Sequence, residues 1–314
     1  MLNIAANPSQ IIFGGIAALM AALLWAVAAI IFQRLGENVP PAELNLVKGS
    51  LAVLLMIVTT LLLGESLPVM PALTFILLII SGIVGIGIGD TAYFESLNHM
   101  GSSLALLLGM LAPPLTGVIA WVFMGETIPL IGWLGIAITI GGVAWVITEE
   151  RSGEHKIKVN YRQGLKFAII ASLSQAIGAV ISRYAMTEAG VTVSALQTAI
   201  IRLLAGIVYL TFLLILSRRS LFVWLRNDDP ENKTSKWKLI RMIALVGFIG
   251  TYSAVWLQQL SIQYTPVGIA QTLLSTSPLF ILPIIALRGE KLSFRAVCGA
   301  VVALGGIVLL FSQG

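Results

Sequence analysis

The sequence is short of the residues on which most enzyme chemistry rests: it has one cysteine, two histidines, and charge on only 11% of its positions. Cys298 has no second thiol to join, so an intrachain disulfide is excluded. His99 and His155 form no HExxH pattern, no GxxxxGKS/T loop is available to cradle nucleotide phosphates, and there is no paired-aspartate motif of the kind that holds a metal-bound pyrophosphate. The alternating glycines of GIGIGDTAYF lie inside an apolar run and lack the strand and helix of a dinucleotide site. No cofactor and no metal site is implied, and an enzyme is not expected.

Apolar residues are what the chain has in excess. They make up 58% of 314 residues, the mean hydropathy is +0.97, and no single water-soluble core could hide so much apolar surface. Ile11 to Gln33 alone would span roughly 34 Å as a helix, against a hydrocarbon layer of about 30 Å. Only helices satisfy their own backbone at that depth, which predicts an all-α integral membrane protein. The first apolar run has no basic residue before it and is too long for a signal core, so it is expected to remain as the first helix.

A repeat sets the architecture. The order Gly101, Ala105, Pro113, Gly125-Glu126, Gly135, Gly141-Gly142 returns as Pro266, Ala270, Pro278, Gly289-Glu290, Gly299, Gly305-Gly306, at an offset of 165 and then 164. Ten hydrophobic segments can be drawn: 11–33, 44–63, 71–97, 103–124 and 128–148, then 164–184, 194–216, 239–263, 267–287 and 292–311. The expected division is a first five-helix repeat at 1–150, a charged cytoplasmic linker at 151–163, and a second five-helix repeat at 164–314. With five helices in each, the second repeat enters the membrane from the opposite side, so the repeats are inverted.

Charge distribution supplies the orientation. The pI near 9.5 does not call for nucleic acid, because sixteen of the 19 Lys and Arg flank connections that fall on one side of the ten-helix scheme. Arg183 alone flanks the other side, and Lys48 and Arg202 lie within helices. The basic side is then cytoplasmic, and both termini are non-cytoplasmic, in a multi-pass inner-membrane protein. Inverted repeats around a central site are a recurring construction of secondary transporters. A monomer is compatible with this pattern, with the bilayer and a small-molecule substrate as its partners.

Charges within the bilayer are costly and default to functional candidates. Asp90, late in the third segment, reads either as a proton-sensitive or substrate-amine group or as a structural acceptor, with Tyr93 on its face. Glu95 reads as interfacial. Lys48 and Arg202 occupy similar places in the two repeats and could hold a carboxylate or phosphate, or neutralise a carboxylate; a structural role is favoured for Lys48. Trp25, Ser172, Ser174, Gln175, Tyr252, Trp256, Gln259, Gln271 and Thr272 complete the candidate cavity, or make interhelical hydrogen bonds and an aromatic belt. Pro113 and Pro278, about ten residues into their helices, read as midplane kinks or gates. The glycine pairs read as packing sites, and Glu126 and Glu290 as caps of the helices that follow them.

The stretch PPLTGVIAWVFMGETIPLIGWLGIAITIGG and its partner PLFILPIIALRGEKLSFRAVCGAVVALGG, with GDTAYFESL and a cation in the second and seventh helices, resemble the EamA-type permeases of the drug/metabolite transporter superfamily. The resemblance covers nearly the whole chain as two copies. It implies ten helices in inverted repeats, a cavity lined by helices 1, 3, 4, 6, 8 and 9, and alternating access without ATP. Efflux of amino acids or related metabolites is the leading expectation. Related small multidrug resistance proteins couple to protons through a glutamate in their first helix; helices 1 and 6 here contain no Asp or Glu, so any proton coupling would fall to Asp90 or another route. The alternatives are transport of phosphorylated or other anionic metabolites through Lys48 and Arg202, and a membrane enzyme acting on a lipid-linked substrate.

Overall fold

The computed structural model describes residues 8–36, 39–64, 70–100, 105, 108–150, 161–187, 193–216, 236–287 and 294–311. The greater part of the 151–163 linker and the second Gly-Glu turn, Gly289-Glu290, lie outside them. Among the described residues all regular structure is helical. The first half comprises α1 (Pro8–Gly36), α2 (Pro41–Leu62), α3 (Ala72–Gly82), a π-helical segment (Ile83–Asp90), α4 (Thr91–Met100), α5 (Ala112–Met124) and α6 (Leu130–Glu150). The second comprises α7 (Tyr161–Thr187), α8 (Ala195–Leu216), α9 (Lys236–Val246), a π segment (Gly247–Ser253), α10 (Ala254–Tyr264), α11 (Val267–Leu274), α12 (Ser277–Leu287) and α13 (Phe294–Phe311).

Eight helical rods among the described residues are long and apolar enough to cross a membrane, with α3, its π segment and α4 forming one and α9, its π segment and α10 another. Their outward faces are oily: Leu62 and Phe294 are each 82% exposed, and Leu130, Phe123 and Val308 point outward as well. Apolar surface on this scale is intelligible only against lipid.

Two sequence expectations about these rods need correction. The third and eighth segments are not continuous α-helix; each carries a π turn near its middle, at the glycine-rich runs GIVGIGIG and GFIG. In the first, close neighbours fill the place of missing side chains: a Cβ on Gly82 would lie 2.3 Å from the Arg202 carbonyl oxygen. Segments four and nine are likewise broken, at Met110-Leu111 and Ser275-Thr276, where tight i→i−3 bonds replace the helical ladder. Pro113 and Pro278 therefore do not kink the middle of a helix. Each sits second in a restarted helix, where its missing N–H costs nothing, and the interruption falls in the turn before it.

The halves pack reciprocally. α1 lies against α10 while the α3–α4 rod lies against α7; α2 meets α8, α5 meets α11, and α6 meets α13 most extensively of all. The contact of α1 with α10 is thus matched, with the halves exchanged, by that of the α3–α4 rod with α7, and α2–α8 and α6–α13 each join corresponding segments. The α6–α13 contact is made backbone to backbone, through Gly142 against Ala303 and Gly299, and Gly306 against Thr139 and Gly135. Only the second glycine of each pair is used this way: Gly141 and Gly305 have open space where a Cβ would stand, contrary to the expectation for both pairs.

One end of the bundle is closed. Gly125, at φ +67°, ends α5 in the left-handed conformation that glycine adopts without strain, and its N–H bonds Trp121 O while that of Glu126 bonds Ala120 O. Glu126 reaches across to the second half of the chain. Its Oε2 accepts the Val267 N–H at the start of α11 at 3.0 Å, and its Oε1 lies 3.5 Å from Arg183 Nη2 at the end of α7. The same Arg183 donates to the carbonyls of Ile262 and Gln263. Thr265 Oγ1 donates to Ile11 O at 3.1 Å, and Ile262, Val267 and Ala270 pack with Ala120 and Val180 beneath.

Candidate functional site

Above the closed end lies a cavity of about 340 Å³, between the halves. Its walls are the last third of α1, the first third of α2, the turn of Asp90 to Phe94, the break before Pro278, and the early residues of α7 and α8. On α1, α2 and α7 the lining lies toward the end at which α1 finishes and α2 and α7 begin. Most of the lining is apolar, with a few polar groups among it, the composition typical of small-molecule sites.

The structure brings Trp25, Lys48, Asp90, Tyr93, Gln175 and Arg202 onto this wall, together with Gln271, Ser172 and Pro278. Three expected residues are elsewhere. Tyr252 bonds Thr59 Oγ1 at 2.8 Å and stacks on Phe248, Trp256 packs in the cluster around Met56 and Leu203, and Gln259 accepts the Ser182 hydroxyl at 2.7 Å. The cavity is lined by Thr251, Val255 and Gln258 in their stead. This is the same i, i+4, i+7 stripe moved by one residue, a rotation of about 100° on a helix. Pro113, Ser174 and Thr272 are also outside the wall, although Ala112 is on it.

Two side chains tie the walls to the π segments. Gln175 Nε2 donates to Asp90 Oδ1 at 3.0 Å and to Gly85 O at 3.3 Å. In the other half Trp25 Nε1 donates to Gly250 O at 2.9 Å. Each π segment thus has a carbonyl satisfied by a side chain from the opposite half, the kind of repair a disturbed helical ladder needs in lipid.

The charges are sunk deep. Lys48 is 8% exposed and Arg202 3%, and Asp90 feels the field of both. Among the described residues no N–O distance within 4.0 Å joins Asp90 to either cation. Lys48 Nζ instead stands 5.3 Å from the centre of the Phe32 ring and 5.8 Å from that of Phe94, within cation–π range. Lys48 faces the cavity together with these rings. Glu95, as expected near an interface, is half exposed beside His99 at 3.9 Å.

Sequence reasoning missed Asn45, Phe32 and Phe94. Asn45 precedes Lys48 by three residues and so shares its helix face, a signal that was available. The phenylalanines gave none, since a membrane helix has many. The wall also includes the second and seventh segments, beyond the six helices that the resemblance implied.

A family model, the EamA-like transporter family, matches residues 12–148 and again 162–312. One solved structure, titled only "Crystal structure of protein", is 18% identical, covers 94% of this chain and 95% of its own, and superposes with a TM-score of 0.75. At that identity the likeness concerns the fold alone. Among curated proteins none matches the sequence. Two copies of one family motif, in a helical bundle built to face lipid, account for nearly all the residues, and the chain belongs to the EamA-like transporter family.

Proposed function

We propose that the protein is a secondary transporter that exports a small organic solute, an amino acid or related metabolite, by alternating access between two inverted five-helix repeats at 1–150 and 164–314. The observation that carries this reading is the buried, mainly apolar cavity between the halves, with Glu126 and Arg183 joined beyond one end of it and Lys48, Asp90 and Arg202 on its wall. The reciprocal packing supports it, because halves that touch through equivalent surfaces can rock about a site they share. Ten spans, with the two broken segments counted as crossings, make each repeat odd and the pair inverted. The positive-inside rule then puts the end of the cavity away from Glu126 and Arg183 toward the cytoplasm and both termini outside, at the inner membrane, with solute loading from within. In this reading Arg202 meets a carboxylate, Asp90 meets an amine or a coupling proton, and the breaks before Pro113 and Pro278 act as gates.

Purified protein in liposomes tests it. Protein-dependent flux should be found for members of an amino acid and metabolite panel, and should fall in an Asp90→Asn variant. No protein-dependent flux for any of them, or turnover of a lipid-linked substrate instead, would overturn the reading. A second reading, transport of phosphorylated or other anionic metabolites, is favoured by one observation: the cavity holds two cations and a single carboxylate.

A further inference from the structure

Resting on the transport reading and narrowing its solute, the geometry points to a substrate that is an organic acid of net charge minus one, bound through its carboxylate, in preference to a phosphate ester or a zwitterion, so that among amino acids the acidic ones alone fit. The argument begins with what the wall leaves unsatisfied. Arg202, 3% exposed, has two nitrogens, Nε and Nη1, without a hydrogen-bond partner. Asn45 and Gln271, 4% and 6% exposed, each have an amide nitrogen without one. Polar groups buried to this degree are nearly always paired in a folded protein, and all three residues line the cavity, so a small turn of each side chain would bring its donors to acceptors on an occupant.

Charge narrows the class. Among the described residues Asp90 is the only carboxylate on the cavity wall, which it shares with Lys48 and Arg202. It already accepts a bond from Gln175, and Lys48 is held against two aromatic faces. A zwitterion entering this space adds one charge of each sign and leaves the same cation unbalanced in an apolar surround, where an uncompensated charge is expensive. A doubly charged phosphate ester overshoots, leaving an anion in excess. A singly charged acid brings two cations to face two carboxylates, and its oxygens meet the open donors of Arg202 and the amides, which can turn either end toward the ligand.

Probes matched in size separate these cases: glutamate against glutamine, phenylpyruvate against phenylalanine, and glycerol 3-phosphate as the doubly charged anion. Flux into proteoliposomes and ligand-induced thermal stabilisation should both favour the singly charged member of each pair, by about tenfold or more in half-saturating concentration. Transport of that member should respond to an imposed potassium-diffusion potential in the direction set by a negative charge. Lys48→Gln should erase the preference between partners; Arg202→Gln should do the same, and serves as the second variant if the first fails to fold. Preference for glutamine and phenylalanine, or for glycerol 3-phosphate, would overturn the inference and leave the transport reading standing. Neither flux nor stabilisation with any probe would overturn both.

Discussion

The contact between Glu126 and Arg183 gives the most direct test of movement. Both side chains are about 15% exposed, and Glu126 bonds the first N–H of α11 in the other half while facing the guanidinium. Glu126→Gln leaves an oxygen able to accept from Val267, removes the charge and turns an amide NH2 toward the guanidinium in place of Oε1. A hydrogen bond to a charged group is worth about 1.5–3 kcal/mol and a neutral one about 0.5–1.5 kcal/mol, so the loss is about 1–1.5 kcal/mol. If the contact exists in the closed state alone, the fraction of molecules open at this end rises about tenfold. Ala120, 1% exposed and packed against Val267 and Ala270 beneath the contact, is the reporter. With Cys298→Ser as background, the labelling rate of Ala120→Cys by a membrane-impermeant maleimide should rise about tenfold in Glu126→Gln. An exchange variant, Glu126→Arg with Arg183→Glu, restores the ion pair but not the bond to Val267, and should fall between. A labelling rate unchanged or lowered by Glu126→Gln would refute the reasoning, since breaking the seal would then not open that end.

Three further outcomes follow from the packing. Gln175→Leu removes the amide that donates to Asp90 and to the Gly85 carbonyl, so transport in liposomes should fall by about tenfold or more, with Gln175→Asn intermediate. Gly178→Val places a Cβ within 2.9 Å of Gly85 Cα, which must push α7 off the π segment and reduce the yield of folded protein on size-exclusion chromatography, whereas Gly141→Ala, in open space, should elute like the parent. Tyr252→Phe breaks the bond to Thr59 outside the cavity; a loss of about 0.5–1.5 kcal/mol in denaturant stability with unchanged substrate half-saturation is expected.

The large features were legible because they rest on length and sum. Apolar runs show spans, and the returning Pro and Gly-Glu positions show a duplication, whatever the local geometry. The phase of a side chain around a helix was not legible beyond the π segment. Tyr252, Trp256 and Gln259 form a stripe as consistent with helical spacing as Thr251, Val255 and Gln258, and only the turn preceding them decides which faces the cavity. Equally hidden was the partner of Glu126, because a carboxylate in a tight turn gives no sign that the helix it caps lies 141 residues away. The proline positions were read, but the interruption they cause lies upstream, where the ring of residue i excludes the carbonyl of residue i−4. The charges of Lys48, Asp90 and Arg202 were found because membrane burial makes each of them conspicuous.

A π turn holds more residues than an α turn, so the segment at Ile83–Asp90 is a length of chain wound looser than its neighbours. Tightening it by one residue would turn everything beyond it by about 100° and advance it by about 1.5 Å along the axis. Asp90, Tyr93 and Phe94 all lie at or past that point, with Gln175 fastened to both its Gly85 and Asp90 positions. Such a segment stores a screw motion: a small change in winding, fixed upstream by Gly82 against the Arg202 backbone, would swing a carboxylate and two rings away from the cavity together.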